Sequence, residues 1–179
     1  MIFVDETGIN LHTNHEFGYA PSGLTPRISV PANKGINISC LVAISISGVV
    51  NFMIQDGTIT GDVFRDFMRH ISETNSNTST VFIMDNARIH KARNVSTFIQ
   101  ESNIRIEYLP PYSPQLNPIE EYFSHFKKLV RARKTTNTTR DQLKHMASII
   151  LTDDKTLNMD GYFRHMRRFV DMGFGRLDF

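Results

Sequence analysis

The sequence predicts an α/β fold: a mixed five-stranded sheet with helices on both faces. Three observations predict it. A short, wholly apolar run, Val81-Phe82-Ile83-Met84, reads as a central strand covered on both sides. Residues 36–46 and 49–54 are two runs rich in β-branched residues joined at Ser47-Gly48, the pattern of an antiparallel hairpin. From residue 60 onward, helical spacings alternate with short apolar runs, which calls for β-α-β crossovers.

The elements follow in order. Met1 to Val4 is apolar and opens the chain as a strand, with Asp5-Glu6-Thr7-Gly8 at its end. Residues 18–35 are punctuated by Pro21, Gly23, Pro26, Pro31 and Gly35 and read as loop. After the hairpin, Thr60 can cap a helix whose apolar positions are Phe64, Phe67, Met68 and Ile71. The polar stretch 73–80 ends it. Asp85 stops the central strand. Residues 91–101 form a second helix with Val95, Phe98 and Ile99 inward, and 104–109 a further strand. Pro110-Pro111-Tyr112-Ser113-Pro114 fits neither helix nor central strand. Asn117-Pro118-Ile119-Glu120 is a helix start: an Asn cap, Pro at the first position, a carboxylate at the third. Its apolar face is Ile119, Tyr122, Phe123, Phe126 and Val130. Thr139 and Gln142 make a capping box for another helix, with Leu143, Met146, Ala147 and Ile150 inward. Residues 156–179 are a basic, aromatic tail with room for one short helix.

Composition narrows the classes. With 179 residues, 40% apolar and 21% charged, the chain suits a single globular domain. Cys40 is the only cysteine, which excludes a disulfide framework and a Cys-based zinc site. Asp5 and Glu6 stand where the apolar core of a secretory signal would begin. The uncharged run from Gly35 to Gln55 is long enough to span a bilayer, but Asn37, Ser39, Ser45, Ser47, Asn51 and Gln55 argue against that. Charge is unevenly spread: residues 1–120 carry −3 and residues 121–179 carry +5. That asymmetry suits a polyanionic partner for the C-terminal part, and equally a solvated helix face.

Three carboxylates stand at informative places. Asp5 follows the first strand, Asp85 follows the central strand, and Glu120 opens a helix after the proline-rich loop. Strand ends and helix starts converge on one rim of such a sheet, where ligands bind. Three acids there repel one another unless a cation lies between them. An all-oxygen donor set suits Mg²⁺ or Mn²⁺, and two such ions support phosphodiester chemistry. Each acid also fits a structural role: Asp5 and Asp85 as turn formers, Glu120 as the partner of Asn117 in a helix cap.

Four segments resemble the signature blocks of mariner-type DDE transposases. They are Phe3-Val4-Asp5-Glu6-Thr7-Gly8, Gly18-Tyr19-Ala20-Pro21-Ser22-Gly23, Met84-Asp85-Asn86-Ala87-Arg88-Ile89-His90, and the long run from Leu109-Pro110-Pro111-Tyr112-Ser113-Pro114 to Asn117-Pro118-Ile119-Glu120. Between Asp85 and Glu120 lie 34 residues, a spacing that family uses. The resemblance covers about residues 1–150. It implies a ribonuclease H-like catalytic domain over residues 1–155. Asp5, Asp85 and Glu120 would be the catalytic triad and would hold two divalent ions, Mg²⁺ or Mn²⁺. The reaction implied is hydrolysis of a phosphodiester at a transposon end, then attack of the freed 3′-hydroxyl on target DNA, both in-line displacements. The expected partner is DNA, at transposon ends and target; a homodimer is expected and a membrane is not. The location implied is the nucleus of a eukaryote, or the nucleoid or cytoplasm of a bacterium.

Two departures from the family pattern stand out. Phe123 occupies a position where relatives often carry Trp, which reads as a swap of core aromatics. Met1 lies just before the first catalytic strand, where relatives carry helix-turn-helix domains. The expectation is therefore either a fragment or a repurposed copy, and the alternative function is a DNA-binding module without transposition. A third reading is a nuclease that hydrolyses without strand transfer.

Residues around the triad carry further expectations. Glu6 should point across the strand, away from Asp5. Glu121 cannot share a target with Glu120, because a helix turns about 100° per residue. Arg88 and His90 are expected DNA contacts, with a backbone-satisfied helix start as the plainer role for His90. Asn86 should tie its loop to its own backbone. Tyr112 and its prolines should form a stiff floor under Glu120. Lys127 and Arg131 share the Glu120 side of the helix and are expected to carry DNA phosphate away from the site, with Arg133, Lys134, Arg164, Arg167 and Arg168 adding non-specific contacts. His12 and His15 read as loop residues.

Overall fold

The computed structural model describes residues 1–11, 20–25, 37–75, 80–102, 104–135, 137–153 and 158–175. His12, His15, Gly18-Tyr19 and most of the 18–35 loop lie outside them.

Five strands form one mixed sheet: β1 (Ile2–Ile9), β2 (Ile38–Ser45), β3 (Gly48–Asp56), β4 (Val81–Met84) and β5 (Arg105–Tyr108). Their order is β3-β2-β1-β4-β5. β2 pairs antiparallel with both β1 and β3, while β4 pairs parallel with β1 and β5. The uncharged run at 35–55 is thus the hairpin β2–β3, turning at Ile46-Ser47. Among the described residues, no helix is long and apolar enough to cross a membrane.

The two-residue period of the strands sorts their side chains into two cores. Phe3, Ile9, Cys40, Val42 and Ile44 point to one face. There they meet α3 (Pro118–Arg133), α4 (Arg140–Asp153) and α5 (Met159–Phe174). Ile2, Val4, Leu41, Ala43, Phe82 and Met84 point to the other face, under α1 (Gly61–Thr74) and α2 (Arg93–Glu101). β2 is buried on both faces. β4 is only half so: Phe82 and Met84 are buried, whereas Val81 and Ile83 are partly exposed. It lies one strand from the β5 edge, and β5 itself is mostly exposed.

The apolar faces read from spacing are the buried ones. Phe64, Phe67, Met68 and Ile71 are buried on α1, and Ile119, Tyr122, Phe123, Phe126 and Val130 on α3. Thr60 accepts from the Val63 amide at the start of α1. Thr139 and Gln142 form their reciprocal pair ahead of α4, at 2.8 and 3.3 Å.

The segment read as a tail with at most a short helix is instead α5, 16 residues long. Met159, Phe163 and Met166 are buried in the same core as α3 and α4, and Phe163 meets Phe3 edge-on at 5.4 Å. Asn158 caps it, accepting from the Gly161 amide at 2.9 Å. Asn158→Ala should cost about 1 kcal/mol of stability. A urea midpoint indistinguishable from wild type would show that the cap contributes nothing.

Candidate active site

The parallel pairing of β1 and β4 builds the site. Ile2 pairs with Phe82 and Phe3 with Ile83, so Asp5 stands level with Asp85. β1 does not end at Asp5, as its sequence suggested, but runs on to Ile9, because antiparallel pairing with β2 continues to Ile38. It is β4 that stops there. Asp85 leaves the sheet beside a carboxylate that stays within it. β5 ends with its last pair to β4, Tyr108 with Met84, and the next amide, Leu109, donates to the Met84 carbonyl at 2.9 Å. The proline-rich segment departs from that point and delivers Glu120 into the first turn of α3.

Asp5 is buried, on the α3 side of the sheet with Phe3. Its Oδ1 accepts from the Glu6 amide at 2.8 Å, and its Oδ2 accepts from Asn117 Nδ2 at 3.0 Å. Burial is the main cause that raises its pKa from 3.8 to about 7. The Glu6 amide opposes the rise, while the charges of Glu6, Asp85 and Glu120 add to it. The carboxyl is therefore poised between its neutral and charged forms near neutrality.

Asp85 is half-exposed. Its Oδ1 accepts from the Ala87 amide at 2.9 Å, an Asx turn that caps the strand end. The same oxygen lies 2.8 Å from His90 Nδ1, an ion-pair contact, while the Nδ1 hydrogen bond goes to the Asp85 main-chain carbonyl at 3.3 Å. Asn86 reaches further than its own loop: its Nδ2 donates to the Leu109 carbonyl, and Lys91 Nζ donates to its Oδ1. Asp85, Asn86, Asn117 and Glu120 line one cleft of about 500 Å³, whose other wall is Leu109 to Pro114. Glu120 is exposed there. Glu121 turns away to His165 of α5.

His90 corrects one expectation. It is fully buried, stacked on Phe64 with ring centroids 4.4 Å apart, so it offers DNA no surface. Its Nε2 meets Glu6 Oε2 at 2.9 Å and its Nδ1 meets Asp85. Glu6 does point away from Asp5, to the α1 side, where this histidine lies. Burial works against the imidazolium, but the Glu6 hydrogen bond and charge, and then Asp85, outweigh it and raise the pKa above 6.5. An imidazolium donates at both nitrogens, here to the Glu6 carboxylate and the Asp85 main-chain carbonyl. His90 is a strut from β1 to the C-terminal end of β4.

Tyr112 corrects another. It is no floor: its side chain is fully exposed and its φ is +56°. Asn117 sits at the cap position of α3 but makes no side-chain cap bond, because its amide is turned to Asp5. Arg88 is exposed beside the cleft-lining Ala87. Lys127 and Arg131 are half-buried, and the Lys127 charge acts on the thiol of Cys40, which burial pushes up to about 12. Neither the Glu6–His90 link nor the Asn117–Asp5 bond is predicted by the sequence reading. The only signals were the histidine five residues after Asp85 and the asparagine three before Glu120.

Among the described residues, no three His, Cys, Asp or Glu side chains stand close enough together to hold an ion as placed. The donors nevertheless fit a hard divalent cation. All are carboxylate oxygens. Asp5 carries an excess of negative surroundings that a cation would relieve. The buried Asn117 Oδ1 has no hydrogen-bond partner.

Comparison with known proteins adds the following. The family model of the DDE superfamily endonucleases matches residues 1–144. The chain is 27% identical over 120 residues to the transposable element Tcb2 transposase of Caenorhabditis briggsae, covering 66% of this chain and 44% of that protein. A pre-cleavage Mos1 transpososome superposes with a TM-score of 0.73 at 16% identity, over 93% of this chain and 52% of the other. The Mos1 mariner paired end complex with Mn gives 0.72 at 18%, over 93% and 51%. The catalytic domain of Mos1 mariner transposase gives 0.63 at 16%, over 93% and 75%. The chain spans about half the length of the longer relatives.

Proposed function

The chain belongs to the DDE superfamily endonucleases, its five-stranded sheet is of the ribonuclease H-like kind those transposase structures share, and we propose that it is the metal-dependent catalytic domain of a DNA transposase. In this reading it hydrolyses phosphodiesters at transposon ends and joins the freed 3′-hydroxyl to target DNA. One observation carries it. Carboxylates from three separate segments converge on one end of the sheet: Asp5 stands level with Asp85 across the β1–β4 pairing, and Asp85 and Glu120 line one cleft. Nothing in folding requires such a gathering, which costs stability unless a cation offsets it.

Asp5, Asp85 and Glu120 would hold two Mg²⁺ or Mn²⁺ ions. When bound, such ions supply charge stabilisation to both the attacking and the leaving oxygen of an in-line displacement. The protein's own part is positioning. Asn117 and the Glu6 amide orient Asp5. His90 and the Ala87 amide orient Asp85. The Asn86–Leu109 bond holds the two walls of the cleft together. Arg88, exposed at the rim, would take a DNA phosphate. Mos1 structures with Mn and with Mg support the choice of ions, and paired-end and strand-transfer complexes support DNA as partner. A homodimer belongs to the same reading, as do a nuclear location in a eukaryote and a nucleoid or cytoplasmic one in a bacterium.

The test is an oligonucleotide nicking assay with Mg²⁺ or Mn²⁺. Wild type should nick, and Asp85→Ala should lose at least about a hundredfold in rate. Equal nicking by both would assign the cleavage elsewhere. Absence of nicking in both, with DNA still bound, would favour the DNA-binding module. A pre-cleaved end bearing a free 3′-hydroxyl then separates joining from hydrolysis.

A further inference from the structure

Tyr112 is the one non-glycine residue with a left-handed backbone among the described residues, at φ +56°. An aromatic residue seldom adopts that conformation, and such outliers gather at functional sites. The loop is held in shape from both ends. Leu109 is tied to Met84 and to Asn86, the Leu116 amide donates to the Ser113 carbonyl at 3.0 Å, and prolines at 110, 111 and 114 fix φ on either side. What this strain achieves is to put the ring outside. The side chain is 101% exposed, more so than any other large apolar residue of the described fold, so it packs on nothing. It stands in the wall of the cleft that holds Asp85 and Glu120. The exposed Arg88 follows the opposite wall.

We propose that Tyr112 is a stacking platform for an unpaired base of the DNA strand entering the Asp85–Glu120 cleft, an inference that rests on the function proposed above. A naked aromatic face, next to an acid pair that needs a phosphodiester and a cation that would take a phosphate, matches the three parts of a nucleotide. A base within a duplex has its faces covered by neighbours, so the ring selects a base that is unstacked. Every base has a π-face, so the contact is tolerant of sequence.

The experiment is fluorescence anisotropy with a labelled single-stranded oligonucleotide and with its blunt duplex, in metal-free buffer so that binding is read without chemistry. Tyr112→Ala should weaken single-strand binding by about 5- to 100-fold, while duplex affinity changes far less. Tyr112→Phe should keep the wild-type affinity. An abasic site scanned along the strand should weaken wild type at one position, and that position should cost Tyr112→Ala nothing more. Tyr112→Gly keeps the left-handed turn without strain. It should melt no lower than wild type and bind as weakly as the Ala variant. Three results overturn the platform: Tyr112→Ala binding single strands like wild type, abasic sites weakening it as much as they weaken wild type, or Tyr112→Gly restoring affinity through loop shape alone. Wild type binding neither oligonucleotide would overturn the functional reading as well, which a defect confined to the Tyr112 variants would leave standing.

Discussion

At pH 8 and without metal, Asp5→Asn should melt above wild type and yet nick no DNA. The carboxyl is buried, and its pKa is raised from 3.8 to about 7 chiefly by that burial. The native state therefore holds a proton that the unfolded chain releases. The sign follows: between about pH 4 and 7 the native protein binds more protons, so this group's contribution to stability falls as pH rises and is flat above 7. A shift of roughly three units corresponds to about 4 kcal/mol at alkaline pH. For a chain of this size that is on the order of 10 °C in melting temperature. An asparagine carries no charge to desolvate. It can still accept from the Glu6 amide through Oδ1, and Asn117 can turn its unpartnered Oδ1 towards the new amide. Melting curves from pH 4 to 9 should show the two proteins together at the acid end and diverging upward. Mg²⁺ should raise the wild-type midpoint at pH 8 and leave the variant's unmoved. A variant that melts below wild type at pH 8 would mean that the buried charge is already compensated within the fold. Melting above wild type with no nicking would show stability and catalysis making opposite demands on one residue, as expected where a site is built to receive a cation.

The elements were legible because their signals are local. The apolar spacing of Phe64, Phe67, Met68 and Ile71 fixes which side of α1 faces the sheet whatever lies beneath it. The Thr139–Gln142 pair carries its own geometry within one turn. That Asp85 and Glu120 share one cleft follows the same way from their places at a strand end and a helix start. What the sequence hid is what arises between segments. That Asp5 lies mid-strand depends on where β2 pairs, and that it is level with Asp85 depends on register with a strand some 80 residues away. Asn117 looks like a cap because Asn before Pro usually is one; the buried Asp5 outcompetes the helix amides for its side chain. His90 looked exposed because it follows a loop, and only the packing of Phe64 from α1 encloses it. In the last segment, glycines at 161, 173 and 175 and clustered arginines obscured a helical face of Met159, Phe163 and Met166 that is plain once α3 lies alongside.

The second large effect belongs to His90. Replacing it with Ala should cost about 3 kcal/mol. The change opens a cavity against Phe64, and it strips Glu6 of its hydrogen-bond partner and Asp85 of its ion-pair contact. The pH dependence separates the electrostatic part from the cavity. Because the folded pKa lies above the unfolded 6.5, the imidazolium's stabilisation is complete below pH 6.5 and lost as pH rises through the folded value. The deficit of His90→Ala against wild type should therefore be largest near pH 6 and shrink towards pH 9, where only lost packing remains. A deficit constant across that range would reduce His90 to a core filler. Glu6→Gln keeps a hydrogen-bond acceptor but no charge, and should reproduce the electrostatic part alone. Combined with His90→Ala it should add little further loss, since the two residues serve one link. The link reaches activity through Asp85. Without the His90 charge beside it, that carboxylate is held by the Ala87 amide alone and samples other orientations in the cleft. In folded His90→Ala, assayed well below its melting point, cleavage should fall while DNA affinity stays near wild type, because the residue touches no solvent and hence no DNA. Loss of affinity in step with rate would instead place His90 among the DNA contacts, which its burial between Glu6, Asp85 and Phe64 denies.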